Sequence, residues 1–417
     1  MSRISALRDL ARHPLFPSIY LPTLIHSVAQ MMIIPILPVY ADSFDVSYGV
    51  IGLVLAAAQI GRMIGDVPAG LLLGRLGRKT CMVIGLTSTA FTVLALFWAQ
   101  SIPEVLVYRV LAGMGTSLFS LAVHDHMSSA VTTENRGRSI ALIGGVYRAG
   151  KFIGPTIGTT VAALFGLRAP FLLFAVMVAG ALVVVVVRYV SVKKVSHHSG
   201  ASAHGGQLLA VLMENRRALA LGGAGQVFVQ ITRAGSQAII PLYATDVLGL
   251  SVEMIGPIFS ISAAIDMALF YPAGWIMDRK GRKHAIVPSF VIQAVGLALI
   301  PLTVGFWSLL FAASLIGLGN GLSAGTMMTL GADLAPADSR GAFLGVWRLI
   351  GDVGSAGGPL IVGGVAGMLA LGASALVISG AGGVAASIFA FLVPETLRKS
   401  KPAKQLVTPR SSQSTGD

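Results

Sequence analysis

Apolar residues along this chain come in long unbroken runs. Leu53 to Ala58 and Ala181 to Val187 are two of them, and neither shows the two-residue alternation of a half-buried strand or a membrane barrel. Twelve stretches reach the roughly 20 residues needed to cross a hydrocarbon core as a helix. They lie near 18–41, 48–74, 80–99, 103–124, 138–163, 168–190, 217–243, 250–276, 283–304, 306–332, 342–366 and 370–394, with short polar turns between them. The pattern predicts an all-α membrane protein of 12 transmembrane helices, numbered here as spans 1 to 12.

Composition agrees, because 54% hydrophobic and 11% charged residues are too apolar a mixture for a domain that must cover itself with polar groups. The net charge of +13 does not imply nucleic acid, since the basic residues sit in short loops between apolar runs. Six of the 30 fall within spans, namely Arg62, Arg109, Arg148, Lys151, Arg233 and Arg348. With the amino terminus inside, only Arg168 of the others lies on the external side. Asp42, Asp45, Glu104, Asp246 and Glu253 occupy the external turns. Lys and Arg accumulate on the cytoplasmic side, so both termini are expected there, in an inner or plasma membrane. The basic start at Arg3, Arg8 and Arg12 runs into span 1 without a small-residue cleavage site. The single cysteine, Cys81, permits no internal disulfide and reads as packing.

Two blocks recur at a shift of 204 residues, the signature of an internal repeat. Pro68-Ala69-Gly70 with Gly74-Arg75-Leu76-Gly77-Arg78-Lys79 matches Pro272-Ala273-Gly274 with Asp278-Arg279-Lys280-Gly281-Arg282-Lys283. Arg136-Gly137 with Gly150, Gly154 and Pro155 matches Arg340-Gly341 with Gly354, Gly358 and Pro359. The repeat divides the chain into a six-helix half over 1–190, a linker over 191–216, a second half over 217–394 and a disordered tail over 395–417. His197, His198 and His204 belong to the Ser- and Gly-rich linker; without a carboxylate or Cys beside them they read as linker rather than metal site.

The loop blocks Gly70 to Lys79 and Gly274 to Lys283 resemble the signature between helices 2 and 3, and 8 and 9, of the major facilitator superfamily. The resemblance covers essentially the whole chain. It implies transport by alternating access and a cytoplasmic gate built from Gly70, Arg75, Gly77, Arg78, Gly274, Asp278, Arg279, Gly281 and Arg282. Gly74 stands where the family carries an acid, which implies a weaker lock in the first half. Arg109, Gly113 and Gly115 on span 4 resemble the arginine-glycine motif of proton-coupled members. Gly150, Gly154, Pro155 and Gly158 on span 5 resemble most of the motif of drug:proton antiporters, although Ala141 and Thr159 replace two of its glycines. Read physically, these small residues bring helix backbones together and Pro155 bends span 5, at a static or a moving interface.

Ionisable groups inside spans are costly unless paired or wet, and are functional candidates. Asp66, Asp266 and Asp352 join the six cations. Shifting by 204 turns Arg62 into Asp266 and Arg148 into Asp352, so equivalent sites carry opposite charges. In the resembled fold, span 2 packs beside span 11 and span 5 beside span 8. The expected seam pairs are therefore Arg62 with Asp352 and Arg148 with Asp266, with Asp66 near Arg348. Protonating an aspartate would release its arginine, giving a proton-coupling switch with Arg109 as a tuning group. Static ion pairs are the competing reading.

His26, Gln30, Lys151, Gln226, Gln230, Arg233 and Gln237 are the expected substrate lining. The excess of cations and hydrogen-bonding amides suits an anionic, zwitterionic or neutral amphiphile better than an organic cation. The His124-Asp125-His126 cluster reads as a solvated helix end. No nucleophile-base motif and no nucleotide-binding loop is present, so an enzyme is not expected, nor any cofactor or metal. The expected partners are a small-molecule substrate, protons and lipid, with the protein a monomer. Proton-driven efflux, with multidrug resistance as its phenotype, is the first function class. An importer or facilitator of a small organic anion or sugar is second, and a non-transporting receptor third.

Overall fold

The computed structural model describes residues 16–130, 136–189, 213–336 and 339–397, and every regular element among them is helical. The linker histidines and the tail beyond 397 lie outside the described residues. The α-helices are α1 Leu21–Ile33, α2 Ile36–Asp42, α3 Tyr48–Leu76, α4 Arg78–Ala95, α5 Ile102–Ala130, α6 Arg136–Phe165 and α7 Ala169–Arg188. They continue as α8 Arg216–Leu242, α9 Val252–Arg279, α10 Lys283–Leu299, α11 Phe306–Leu322, α12 Thr326–Leu334, α13 Arg340–Met368 and α14 Leu371–Ser387.

Among the described residues, eight helical stretches are long and apolar enough to cross a membrane, and a bent pair makes nine. Expected spans 3, 5 and 7 are helical as α4, α6 and α8 but do not meet that criterion, since polar and charged residues dilute them. The bent pair is expected span 1, which turns by 40° between α1 and α2. Pro35, the N-cap of α2, lacks the N–H that would continue the ladder. Expected span 10 is likewise divided into α11 and α12, where Gly325 adopts a left-handed φ of 75°.

The close helix contacts repeat with the sequence. α6 lies on α1 through Gly150, Gly154 and Gly158: a Cβ on Gly154 would stand 2.6 Å from the Val28 carbonyl oxygen. α13 lies on α8 through Gly354 and Gly358, where a Cβ at 358 would stand 2.8 Å from the Ile231 carbonyl. Two further seams join the first-repeat helices to the second-repeat ones. Gly52 of α3 faces the Pro359 carbonyl of α13, 2.5 Å from a would-be Cβ, and Gly256 of α9 faces the Pro155 carbonyl of α6 at 3.0 Å. Gly52 and Gly256, like Pro155 and Pro359, are 204 residues apart. Small residues let backbones approach where lipid supplies no hydrophobic drive between helices. Cys81 is free and buried.

Candidate functional site

A cavity of about 580 Å³ lies between the helices, within the roughly 300–1,000 Å³ of small-molecule sites. Its charged lining is Arg62, Arg109, Lys151, Arg233, Asp266 and Asp352, four cations against two carboxylates. Of the expected lining, His26, Gln30, Gln230 and Gln237 also face it, whereas Gln226 does not. Gln226 is buried beneath Gly351, whose Cβ would meet its amide nitrogen at 2.7 Å. Gln30 donates to Thr116 at 3.2 Å and Gln230 to Ser355 at 3.3 Å. His26 is 3% exposed, has neither ring nitrogen hydrogen-bonded, and packs on Phe119 with centroids 4.8 Å apart.

One wall carries the expected pair of Arg148 with Asp266, bridging α6 and α9 at 3.5 Å from Nε to Oδ1. Neither of those two atoms has a hydrogen bond, so the contact is a loose ion pair. The Arg148 guanidinium instead lies 4.2 Å from the Phe270 ring centroid and donates to the Gly144 carbonyl at 3.3 Å. Asn320 donates to Asp266 Oδ2 at 2.9 Å. Arg233 donates to the Ser323 hydroxyl at 2.8 Å and keeps a buried Nε without partner. Among the described residues, neither Lys151 nor Arg109 has an ion pair or a side-chain hydrogen bond, and Arg109 Nε is buried.

The opposite wall departs from expectation. Arg62 and Asp352 both face the cavity, but no carboxylate among the described residues lies within 4.0 Å of Arg62. Asp352 is 3.9 Å from Arg348, one turn away on α13, and Arg348 also reaches Asp66 at 4.0 Å, the one expected contact here that forms. Asp66 further accepts a hydrogen bond from Ser117 of α5. A neighbour on the same helix thus reaches Asp352 before the arginine across the seam can.

The two loop motifs share a backbone and differ in chemistry. Gly77 and Gly281 both take positive φ, 79° and 115°, where glycine alone turns freely. Gly70 and Gly274 have open space where a Cβ would stand. In the first loop Arg78 pairs with Asp125 at 2.5 Å, while Arg75 is exposed. In the second, Arg282 bridges Asp278 and Asp333, both at 3.1 Å. Arg279 stacks over Trp275 at 5.1 Å. Glu395, past the last helix, accepts the backbone N–H groups of Arg282 at 2.9 Å and Lys283 at 3.0 Å. Partial burial raises its pKa, but those donors with Leu397 and Thr396 outweigh burial and hold it below the usual glutamate value. His126, expected to be solvated, is buried, with its ring nitrogen 3.0 Å from the Tyr189 hydroxyl. His124 beside it is exposed, and Asp125 pairs with Arg78.

Asn320, Ser323, Asp333 and Glu395 were not anticipated. Asn320 was findable as an amide in an otherwise apolar run; Asp333 and Glu395 carry no signal until the fold brings them to the second loop.

Apolar helices packed around a polar, charge-lined cavity define a membrane transport protein. The chain belongs to the Major Facilitator Superfamily, whose family model matches residues 19–359 and again 222–414. It is 25% identical to the multidrug resistance protein MdtH of Klebsiella pneumoniae over 86% of this chain and 88% of that one. It is 18% identical to the uncharacterised MFS-type transporter MJ1560 of Methanocaldococcus jannaschii over 81% and 87%. The fold matches the nucleoside transporter NupG with a TM-score of 0.73 at 15% identity, covering 91% of this chain and 98% of that one. It matches the human organic anion transporter MFSD10 (TETRAN) with a TM-score of 0.67 at 16% identity, over 90% and 99%.

Proposed function

We propose that this protein is a proton-coupled exporter of a small amphiphilic compound, working by alternating access of twelve spans arranged as two six-helix halves with both termini cytoplasmic. The observation that carries the reading is Asp266, 5% exposed at its side chain, facing the cavity and paired with Arg148 across the α6–α9 seam. A buried ion pair loses its partner when the carboxylate is protonated, so it can form in one state and part in another. The MdtH relatives are named for multidrug resistance, which supports export. In this reading Arg62, Asp66, Arg348 and Asp352 hold the second seam, and the two loop motifs gate the cytoplasmic side.

The cation excess of the cavity supports a second reading, uptake or facilitated passage of a small organic anion. Purified protein in sealed liposomes with a pH-sensitive dye separates the two. Export by exchange moves protons against the substrate, and Asp266→Asn abolishes that flux. Protons moving with the substrate would favour uptake; substrate crossing without protons would reduce the ion pair to conformational glue.

A further inference from the structure

The cavity holds a base-binding and an acid-binding pole on adjacent turns of one helix. On α11 and its C-cap, Asn320 holds Asp266 at 2.9 Å and Ser323 holds Arg233 at 2.8 Å. Three residues of helix rise about 4.5 Å, so these contacts fix a carboxylate and a guanidinium about one turn apart on the same wall. Lys151 lies three residues after Arg148 on α6 and faces the cavity too. It lies in the fields of Asp266 and Arg233. Asp266 Oδ1 is without a hydrogen bond, Arg233 Nε likewise, and Lys151 has no hydrogen bond or ion pair among the described residues.

Electrostatics then ties the direction of coupling to the charge of the substrate. A purely anionic substrate seated on Lys151 and Arg233 adds negative charge beside Asp266. It thereby raises that carboxylate's affinity for a proton. Linkage is reciprocal, so the proton would also favour the anion, and the two would travel together. A plain cation would compete with the proton at Asp266 but would leave Lys151 and Arg233 uncompensated and be repelled by both. A molecule carrying both charges escapes each difficulty. Its ammonium competes with the proton for Asp266 while its acidic group neutralises the cations.

Resting on the export reading above, we infer that the substrate is a zwitterion, its acidic group held by Lys151 and Arg233 and its ammonium replacing the proton on Asp266. Either ligand neutralises Asp266 and frees Arg148, so either unlocks the α6–α9 seam, while the empty, ionised carrier stays locked. That is the condition for exchange. Charged groups facing Asp266 are Arg148 and Lys151 from α6 and Arg233 from α8; α11 carries none, and Lys283 and His284 of α10 sit at its cytoplasmic end.

The test uses charge-matched triplets on several aromatic scaffolds of one to three amino-acid residues: the free zwitterion, its N-acetyl anion and its methyl ester cation. Binding to the full-length protein in detergent is read by calorimetry at about pH 5 and about pH 6, between the ordinary α-carboxyl and α-amino pKa values, where carboxylate and ammonium keep their charges. The expected result is a zwitterion bound about tenfold or more tighter than either relative, more weakly at the lower pH, with release of a proton on binding. Asp266→Asn removes the preference over the N-acetyl form and the pH dependence; Arg233→Gln removes the preference over the ester. An N-acetyl anion bound tightest, and tighter at low pH, overturns the proposal while leaving a proton-coupled carrier. An ester bound tightest, or no zwitterion bound at all, overturns it as well. Failure of the export reading is a separate result: substrate entering liposomes without opposed proton flux.

Discussion

The two seams between the repeated segments are built from equivalent positions, yet their charges settle differently. In the α6–α9 seam, Arg148 has Phe270 over its guanidinium and the Gly144 carbonyl beside it, and its remaining partner is Asp266. Shifted by 204, Phe270 becomes Asp66 and Gly144 becomes Arg348. The α3–α13 seam therefore contains an additional ion pair where its counterpart has a ring and a bare backbone. Arg348 stands between Asp66 and Asp352, and Arg62 is left facing the cavity without a carboxylate in contact. A pair in which one arginine alone contacts the carboxylate behaves as an on-off lock, whereas a cluster of three contacting groups redistributes its charge when one member is neutralised. Coupling is accordingly expected to reside at α6–α9, with α3–α13 supplying a tolerant hinge.

The largest effect should come from breaking the isolated pair. Arg148→Ala strands a buried carboxylate and should destabilise the protein by about 3–5 kcal/mol, read as a lowered melting temperature in detergent. Adding Asp266→Asn to it should recover most of that loss, because the carboxylate stranded by the first change is then gone. Next, Asp352→Asn should cost about 1 kcal/mol or less, since Arg348 is 39% exposed and retains Asp66; equal losses in the two seams would refute their difference. The glycine contacts sharpen the same comparison from the backbone side. Gly52→Ala drives a methyl against a carbonyl and should cost about 1–3 kcal/mol, with Gly256→Ala comparable, so the seams should differ in charge and not in packing.

The smallest effect belongs to the two motif loops. Glu395 has a folded pKa below its ordinary value of 4.5, so the stability it lends is complete above that value and disappears as pH falls through the lowered folded one. Glu395→Gln should remove this acid-side dependence and loosen protease protection of the second loop alone. The first loop, where Gly74 replaces the acid and Arg78 meets Asp125, should be indifferent. Loss of protection in both loops would mean that they are coupled through the bundle.

Much of this was legible in the residue order. Unbroken apolar runs required helices, and the recurrence of glycines and prolines at one offset marked where helix backbones approach, whereas the partners, α1 with α6 and α8 with α13, came from the fold. Opposite charges at equivalent positions pointed to Arg148 with Asp266. The same arithmetic did not give the contacts of Asp352, because Arg348, one turn away on the same helix, lies within reach of both Asp352 and Asp66. Expected spans 1 and 10 each hold a local helix break, at Pro35 and Gly325, through which the apolar run continues, and Phe306–Leu334 remains one membrane-long stretch.

Residue order alone is enough to make this chain a helical membrane protein with an internal repeat, because hydropathy, loop charge and motif spacing act over short stretches. Only the tertiary structure decided which charges meet. Contact among intramembrane ions depends on distances of a few ångströms between helices far apart in the chain, and side chains such as Asn320 and Ser323 acquire their role only when packing places them opposite Asp266 and Arg233.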